Sequence, residues 1–474
     1  ASEIKQFTVL EEWQAEINPQ RVYDQLVYSF TDHTDETMFK GVFQLPGGTY
    51  IKSAVDSLKP DHDGRIQSKK WYTVADDPFK GTFNEASIIF RSHFEKAVKE
   101  HLHADVLVGT GLSGGLDSSA IVCEVNRILR SVGDQTLQKT FSSCTIHEKY
   151  DEKKWMDVVI NHTKVDASFV YPKPEDIFRL TPELIWTHDE PYQSQSAFLA
   201  WHVFRLAREN GVKVLLNGQG ADEYLGGYGQ FTSARYADMF RKLRITTAFE
   251  DIRQYCRLKG ISRSLVYRET AIHLLPLTVR KWMRYLHFSS ESINNLIDHK
   301  ALGLVPVHPY VVIPVKYNTV PEISEHLTFY STLPKYLRWE DRNSMANSVE
   351  ARVPFLDHRL VEFAYSLPDN YLEMNGITKR VMREALKDLL PDEIRTRKDK
   401  MGFATPEEVW VKKENTRLFR RKIEEAVEIT RGIIKPEALG YFDAVVSGRI
   451  PFDYTYWRII LLSEWIKKFD IRIK

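Results

Sequence analysis

The chain has 474 residues, 43% hydrophobic and 27% charged, with 65 Lys plus Arg set against 64 Asp plus Glu and a formal net charge of +1. That balance excludes a strongly basic nucleic-acid surface or a polybasic membrane face as the main partner. The length predicts two or three domains, and no apolar run reaches the ~18 residues of a membrane span. There is no charged-then-apolar leader pattern, and the three cysteines, Cys123, Cys144 and Cys256, are far apart, which argues against a disulfide framework and for the reducing cytoplasm.

Residues 1–52 mix short apolar runs with turn signals, and "MFKGVFQLPGGTYIK" reads as two strands around Pro46-Gly47-Gly48. Residues 53–82 are polar and turn-rich and read as a linker. A helical pattern runs from Phe83 to about His103. A strand over 105–108 follows, then a glycine loop, then a helix with Ile121, Val125, Ile128 and Leu129 on one face and a stop at Gly133. A strand over 139–145, a helix from Glu152, a strand at "ASFVY", a helix over 197–209 and the strand "VKVLL" continue the alternation. Strands alternating with helices predict an α/β fold whose mostly parallel sheet is covered on both faces. From Ser233 to about Leu390 the pattern is largely helical, broken by "VPVHPYVVIPV".

Three readings compete for the loop "GTGLSGGLDSS". Gly109, Gly111 and Gly114 satisfy G-x-G-x-x-G, but a dinucleotide site also wants an acid about 20 residues on, at the end of the next strand. That strand ends Ser142-Ser143-Cys144-Thr145, with no acid. A Walker loop is excluded, since G-x-x-x-x-G-K-[ST] occurs nowhere. The third reading takes Ser113-Gly114-Gly115-Leu116-Asp117-Ser118-Ser119 as an anion nest at a helix N-terminus. Asp117 inside such a nest is repulsive unless a cation intervenes, which implies Mg²⁺ with a polyphosphate. The plain alternative is a glycine turn whose Asp117 or Ser118 merely caps the helix.

At these residues the chain resembles the N-type ATP pyrophosphatases (PP-loop enzymes), which cleave ATP between its α and β phosphates. "GQGADEYLGGY", "LRWEDRNSMANSVEARVPFLDHRLVEFAYSLP" (337–368) and "ITKRVMREALKDLLPDEIRTRKDKMGFATP" (377–406) resemble, in order, the motifs of the asparagine synthetase family. The resemblance implies a doubly wound sheet of the adenine-nucleotide alpha-hydrolase-like type with a large helical C-terminal part. It places that ATP-dependent domain over 83–474 and a short β remnant of an N-terminal glutaminase domain over 1–52. It further implies amide synthesis through an acyl-adenylate, from aspartate, ammonia and ATP, with Mg²⁺. By resemblance, Ser113, Gly114, Gly115, Ser118 and Ser119 hold pyrophosphate, and Leu112, Ser143 and Gly218 hold the nucleotide. Asp117 and Asp222 are the metal-associated acids. Lys400 stabilises the transition state, and Gln219 and Glu350 join it as catalytic candidates. Glu190, Gln193 and Gln195, in and after a D-E-P turn, are candidates for substrate binding. For Glu350, as for Asp341, Arg342 and Arg352, ion pairing that orders the helices reads equally well.

Two departures stand out. Ala1 is not the N-terminal cysteine of the glutaminase, and 52 residues are too few for that domain, so glutamine hydrolysis is expected from a missing domain or a separate subunit. Position 219 is Gln where the common pattern has Glu, and an amide cannot titrate near neutral pH, so it cannot act as a base. The runner-up expectation is therefore a specialised amide synthetase, such as a peptide macrocyclase or tailoring amidotransferase acting on another carboxylate. The expected partners are small molecules, and homo-oligomerisation stays open.

Overall fold

Alternation of strands and helices does build the expected parallel sheet, and its strand order decides where a ligand can sit. The structure, a computed structural model, describes the chain except residues 55, 57–58, 62–63, 75–76, 134–137, 277–278, 281–291, 314–316, 399–404 and 474, and the side chains of 292 and 310. The elements used below are α1 (Pro19–Tyr28), α2 (Phe83–His101), β1 (Val108–Gly111), α3 (Leu116–Ser131), β2 (Lys139–Ser143), α4 (Lys153–Thr163) and β3 (Asp166–Val170). They continue with α5 (Pro174–His188), α6 (Ser196–Glu209), β4 (Val214–Leu216), α7 (Leu333–Ala346), β5 (Glu350–Arg352) and α8 (Thr455–Phe469). The sheet runs β3-β2-β1-β4-β5, every pair parallel.

The apolar pattern explains the covering. Val214 and Leu216 of β4 enter the core formed with α2 and α3, whereas Leu215 enters the opposite core with Phe141 and with Val203 and Phe204 of α6. Side chains alternate across a strand, so a continuous apolar run means helices on both faces. Each buried leucine there contributes roughly 1.5–3 kcal/mol. Helix α2 begins where Thr82 and Glu85 satisfy each other's backbone donors in a capping box. It is tied to α3 through Glu124, a buried carboxylate 2.7 Å from Arg91 and 2.7 Å from Arg127.

Two expectations change. Strand β5 lies in a stretch read as helical. It is three residues long, too short for a period-2 signal, and it follows the left-handed Ser348 (φ 54°). The N-terminal part, read as short strands, also carries a helix, and its β structure is confined to isolated bridges, Ile17–Phe39 and Glu36–Phe43 among them, and the strand Thr49–Tyr50. Pro19 at the first turn and the Asn18 side chain, which accepts from the Arg21 N–H, start α1. Leu26 and Phe39 share one apolar core with Trp465 and Phe469 of α8, the Phe39 and Trp465 rings 4.9 Å apart. The strand after Pro46-Gly47-Gly48, Thr49–Tyr50, pairs with Lys69–Lys70 inside the expected linker rather than with the run before the turn.

Candidate active site

Strand order reverses between β1 and β4, and the loops leaving their carboxyl ends face one another there, where ligands bind in open parallel sheets. The β1 loop folds on itself. The Ser113 and Ser118 hydroxyls lie 2.9 Å apart, Ser118 Oγ accepts from the Ser113 N–H at 3.2 Å, and Ser113 Oγ accepts from the Gly115 N–H at 3.3 Å. Gly114 has φ +74°, and a Cβ there would stand 2.7 Å from the Trp155 Cβ, so only glycine fits. Helix α3 starts at Gly115 with no side chain capping its first turn, which leaves that end of the helix dipole to a ligand. Behind the loop, Arg397 donates to the Gly114 carbonyl at 3.0 Å and to Glu152 at 2.6 Å, its guanidinium over the Trp155 ring. The β4 loop meets this loop at Gly218, where a Cβ would lie 3.0 Å from the Ser118 nitrogen.

One ammonium joins the two loops. Lys379 Nζ lies 2.6 Å from both carboxylate oxygens of Asp117 and 2.6 Å from Asp222 Oδ1. Burial pulls this lysine's pKa down, but the two aspartates outweigh burial and hold it above the ordinary value. Neighbouring Glu223, buried beside Asp222, is pushed up to about 7 by burial and then by that aspartate's charge, and it accepts from the Tyr228 hydroxyl at 2.8 Å. Among the described residues no group of three or more His, Cys, Asp or Glu could hold a metal ion. The donor set is two carboxylates, which fits Mg²⁺ bound by one or two acids with phosphates and water completing its shell. The buried Ser143 and Ser119 hydroxyls have no hydrogen-bond partner among the described residues, as expected of donors meant for a ligand.

These groups line a cavity of about 1270 Å³ with an apolar end at Phe141, Val203 and Phe204. Of the residues singled out in the sequence, Leu112, Ser113, Gly115, Asp117, Ser118, Ser143, Gly218, Gln219 and Asp222 line it. Gly114 and Ser119 are not among its lining residues. Lys400 lies outside the described residues, although Lys398 lines the cavity.

Four candidates are elsewhere. Glu350 sits on the edge strand with its side chain 58% exposed and paired to Arg352 at 2.8 Å, so the ion-pair reading is the one the structure supports. Asp189 turns the chain left-handed (φ 64°) and aims the following segment at the N-terminal part. Glu190 accepts from the Met38 N–H at 2.5 Å and pairs with Arg338, and Gln193 accepts from Lys335 at 3.0 Å and donates to Thr31 at 3.4 Å. Gln195 is buried, its backbone N–H bonded to Glu407 at 3.3 Å. None of these three lines the cavity. Their neighbours Ser194 and Ser196 do.

Two cavity groups were not singled out in the sequence. Lys379 lay unremarked inside "ITKR", and Glu340 inside "LRWEDR". Glu340, on α7, accepts from the Asn217 side chain and from Gln219, and it lines the cavity with Tyr336, Trp339 and Asn343 of the same helix. Burial pushes its carboxyl up to about 7, and the two amides draw it part of the way back.

Comparison with known proteins was made against this geometry. Residues 90–465 match the family described as Asparagine synthase. The chain is 25% identical over 421 residues to asparagine synthetase (glutamine-hydrolyzing) 1 of Bacillus subtilis, covering 86% of this chain and 63% of that protein. It is 28% identical over 393 residues to a putative asparagine synthetase (glutamine-hydrolyzing) of Mycobacterium tuberculosis, covering 80% and 56%. It is 24% identical over 431 residues to amidase chyE of Penicillium rubens, covering 79% and 60%. The chain thus spans less than two thirds of the length of each of these relatives.

Proposed function

The chain belongs to the asparagine synthase family, and from that premise we propose that it activates a carboxylic acid with ATP and joins it to ammonia, aspartate yielding asparagine, AMP and pyrophosphate. The observation that carries this reading is the Lys379 ammonium between Asp117 and Asp222, set over an uncapped helix start. Two acids from different strand ends, one lysine and exposed backbone donors are what a polyphosphate with its cation requires.

The substrate carboxylate attacks the α-phosphorus, and the bond to the β-phosphate breaks with its electron pair leaving on pyrophosphate. The barrier is charge building on phosphate oxygens, so fixed donors supply much of the catalysis. Backbone N–H groups of the β1 loop and the Ser113 and Ser118 hydroxyls would bind pyrophosphate, with Lys379 as counter-ion. Asp117 and Asp222 would hold Mg²⁺, which when bound neutralises phosphate charge. Lys400, two positions after the cavity-lining Lys398, is proposed to stabilise the charge that builds on the leaving group. Ammonia would come from a glutaminase domain or subunit.

Purified protein with aspartate, ammonium, Mg²⁺ and ATP is expected to yield AMP and asparagine. ADP as the sole nucleotide product contradicts the whole class of reaction. A second reading, a related amide synthetase for a larger acid, is favoured by the cavity of about 1270 Å³, beyond the ~300–1,000 Å³ of usual ligand pockets. The similarity to an amidase supports it as well. AMP formed only with another carboxylate would decide for it.

A further inference from the structure

Amide formation needs a group that takes a proton from nitrogen, and the family-typical position for an acid here holds Gln219, whose amide cannot titrate. Among the described residues four carboxylates line the cavity: Asp117, Asp222, Glu340 and Glu384. Asp117 and Asp222 are committed to Lys379, and Glu384 accepts from Lys387 at 2.8 Å. Glu340 alone of the four has no ion pair among the described residues. Its partners are instead two neutral amides from the β4 loop, Asn217 and Gln219, which fix the carboxylate without neutralising it. Asn217 in turn fills the space over Gly111, where a Cβ would lie 2.1 Å from its Oδ1, so this cluster is wedged between the two nucleotide-facing loops.

We infer that Glu340 accepts the proton of the attacking amine, with Asn217 and Gln219 as positioning residues that hold its carboxylate toward the activated acid. The inference rests on the proposed adenylation. The ammonia lone pair forms the C–N bond to the acyl carbon while the carbonyl pair moves onto oxygen. An N–H proton passes to the Glu340 carboxylate. The tetrahedral species then collapses, breaking the bond to the AMP oxygen, and Glu340 returns its proton to water. Burial supports this role, since a carboxyl pushed up to about 7 is matched to proton transfer near neutral pH. The charged groups on the surrounding elements leave it alone. Asp222 is held by Lys379 and Arg352 of β5 by Glu350, and His188 of α5, which reaches Asn343, is kept neutral by burial with its pKa near 3.

The test separates the two half-reactions in the full chain. Wild-type protein and Glu340→Gln, which is close to isosteric, are compared for aspartate-dependent ATP–pyrophosphate exchange and for amide formation with ammonia and with hydroxylamine. Exchange in the variant is expected within about 2-fold of wild type, while ammonia-dependent amide formation falls ~10²-fold or more. The loss with hydroxylamine is expected to be smaller, because its adduct sheds the proton more readily, and the acid limb near pH 7 should disappear. An unchanged ammonia rate, or equal loss of exchange and amide formation, overturns the inference. Absence of exchange in the wild type instead overturns the adenylation reading and takes this inference with it.

Discussion

Two acidic turns of the molecule differ in what surrounds them, and their partners set them apart. At the β1 and β4 loop ends, Asp117 and Asp222 share one lysine on the wall of an open cavity. At the 189–193 turn, Glu190 meets Arg338, the Met38 backbone and the neighbourhood of Asp32, while Asp189 accepts from the Ile4 and Lys5 N–H groups at 3.0 Å. Both turns are polar, the first half-buried and the second buried. The first leaves its charge beside space for a ligand, and the second spends its carboxylates on the N-terminal segment and on Arg338 and Arg342. Burial of acids alone therefore does not mark a site; whether open cavity or packed chain lies beside them does.

Lys379→Met should give the largest effect. It leaves Asp117 and Asp222 facing without a shared cation, and removing one preorganised charge from a phosphoryl site costs ~10²–10³ in turnover. Pyrophosphate exchange measures it, and a loss below 3-fold would place the pyrophosphate elsewhere. On the structural side, Arg338→Ala strips the cation from Glu190 and Asp32, at a cost of ~3–5 kcal/mol. Urea unfolding should report that loss, with exchange per folded molecule retained if the turn is purely architectural. Gln219→Glu sets a second carboxylate against Glu340, and like charge raises a neighbouring carboxyl's pKa. The acid limb of ammonia-dependent turnover should then move to higher pH, read from its profile. Glu350→Ala should do least, within about 0.5 kcal/mol and with unchanged exchange, since it breaks only an exposed pair.

The comparison also says what the residues alone could reveal. The β1 and β4 loops were legible because each is local: a strand, a glycine-rich turn and a helix start lie within a dozen residues of one another. The contacts of Glu190 were not legible, because its partner Met38 is 152 residues away in sequence. Lys379, 262 residues from Asp117, and Glu340, 123 from Asn217, escaped notice for the same reason. No spacing rule connects such pairs before the chain folds. Strand β5 was too short to carry a pattern, so the sheet was read one strand narrow.

The central claim is that the acid is activated by attack on the α-phosphorus of ATP at the Asp117–Lys379–Asp222 cluster. Aspartate labelled with ¹⁸O in its carboxylates, incubated with the protein, ATP, Mg²⁺ and ammonium, tests it most directly by mass spectrometry of the products. One ¹⁸O is expected in the phosphate of AMP and none in pyrophosphate. Label in inorganic phosphate alongside ADP, or AMP formed without label, would contradict it.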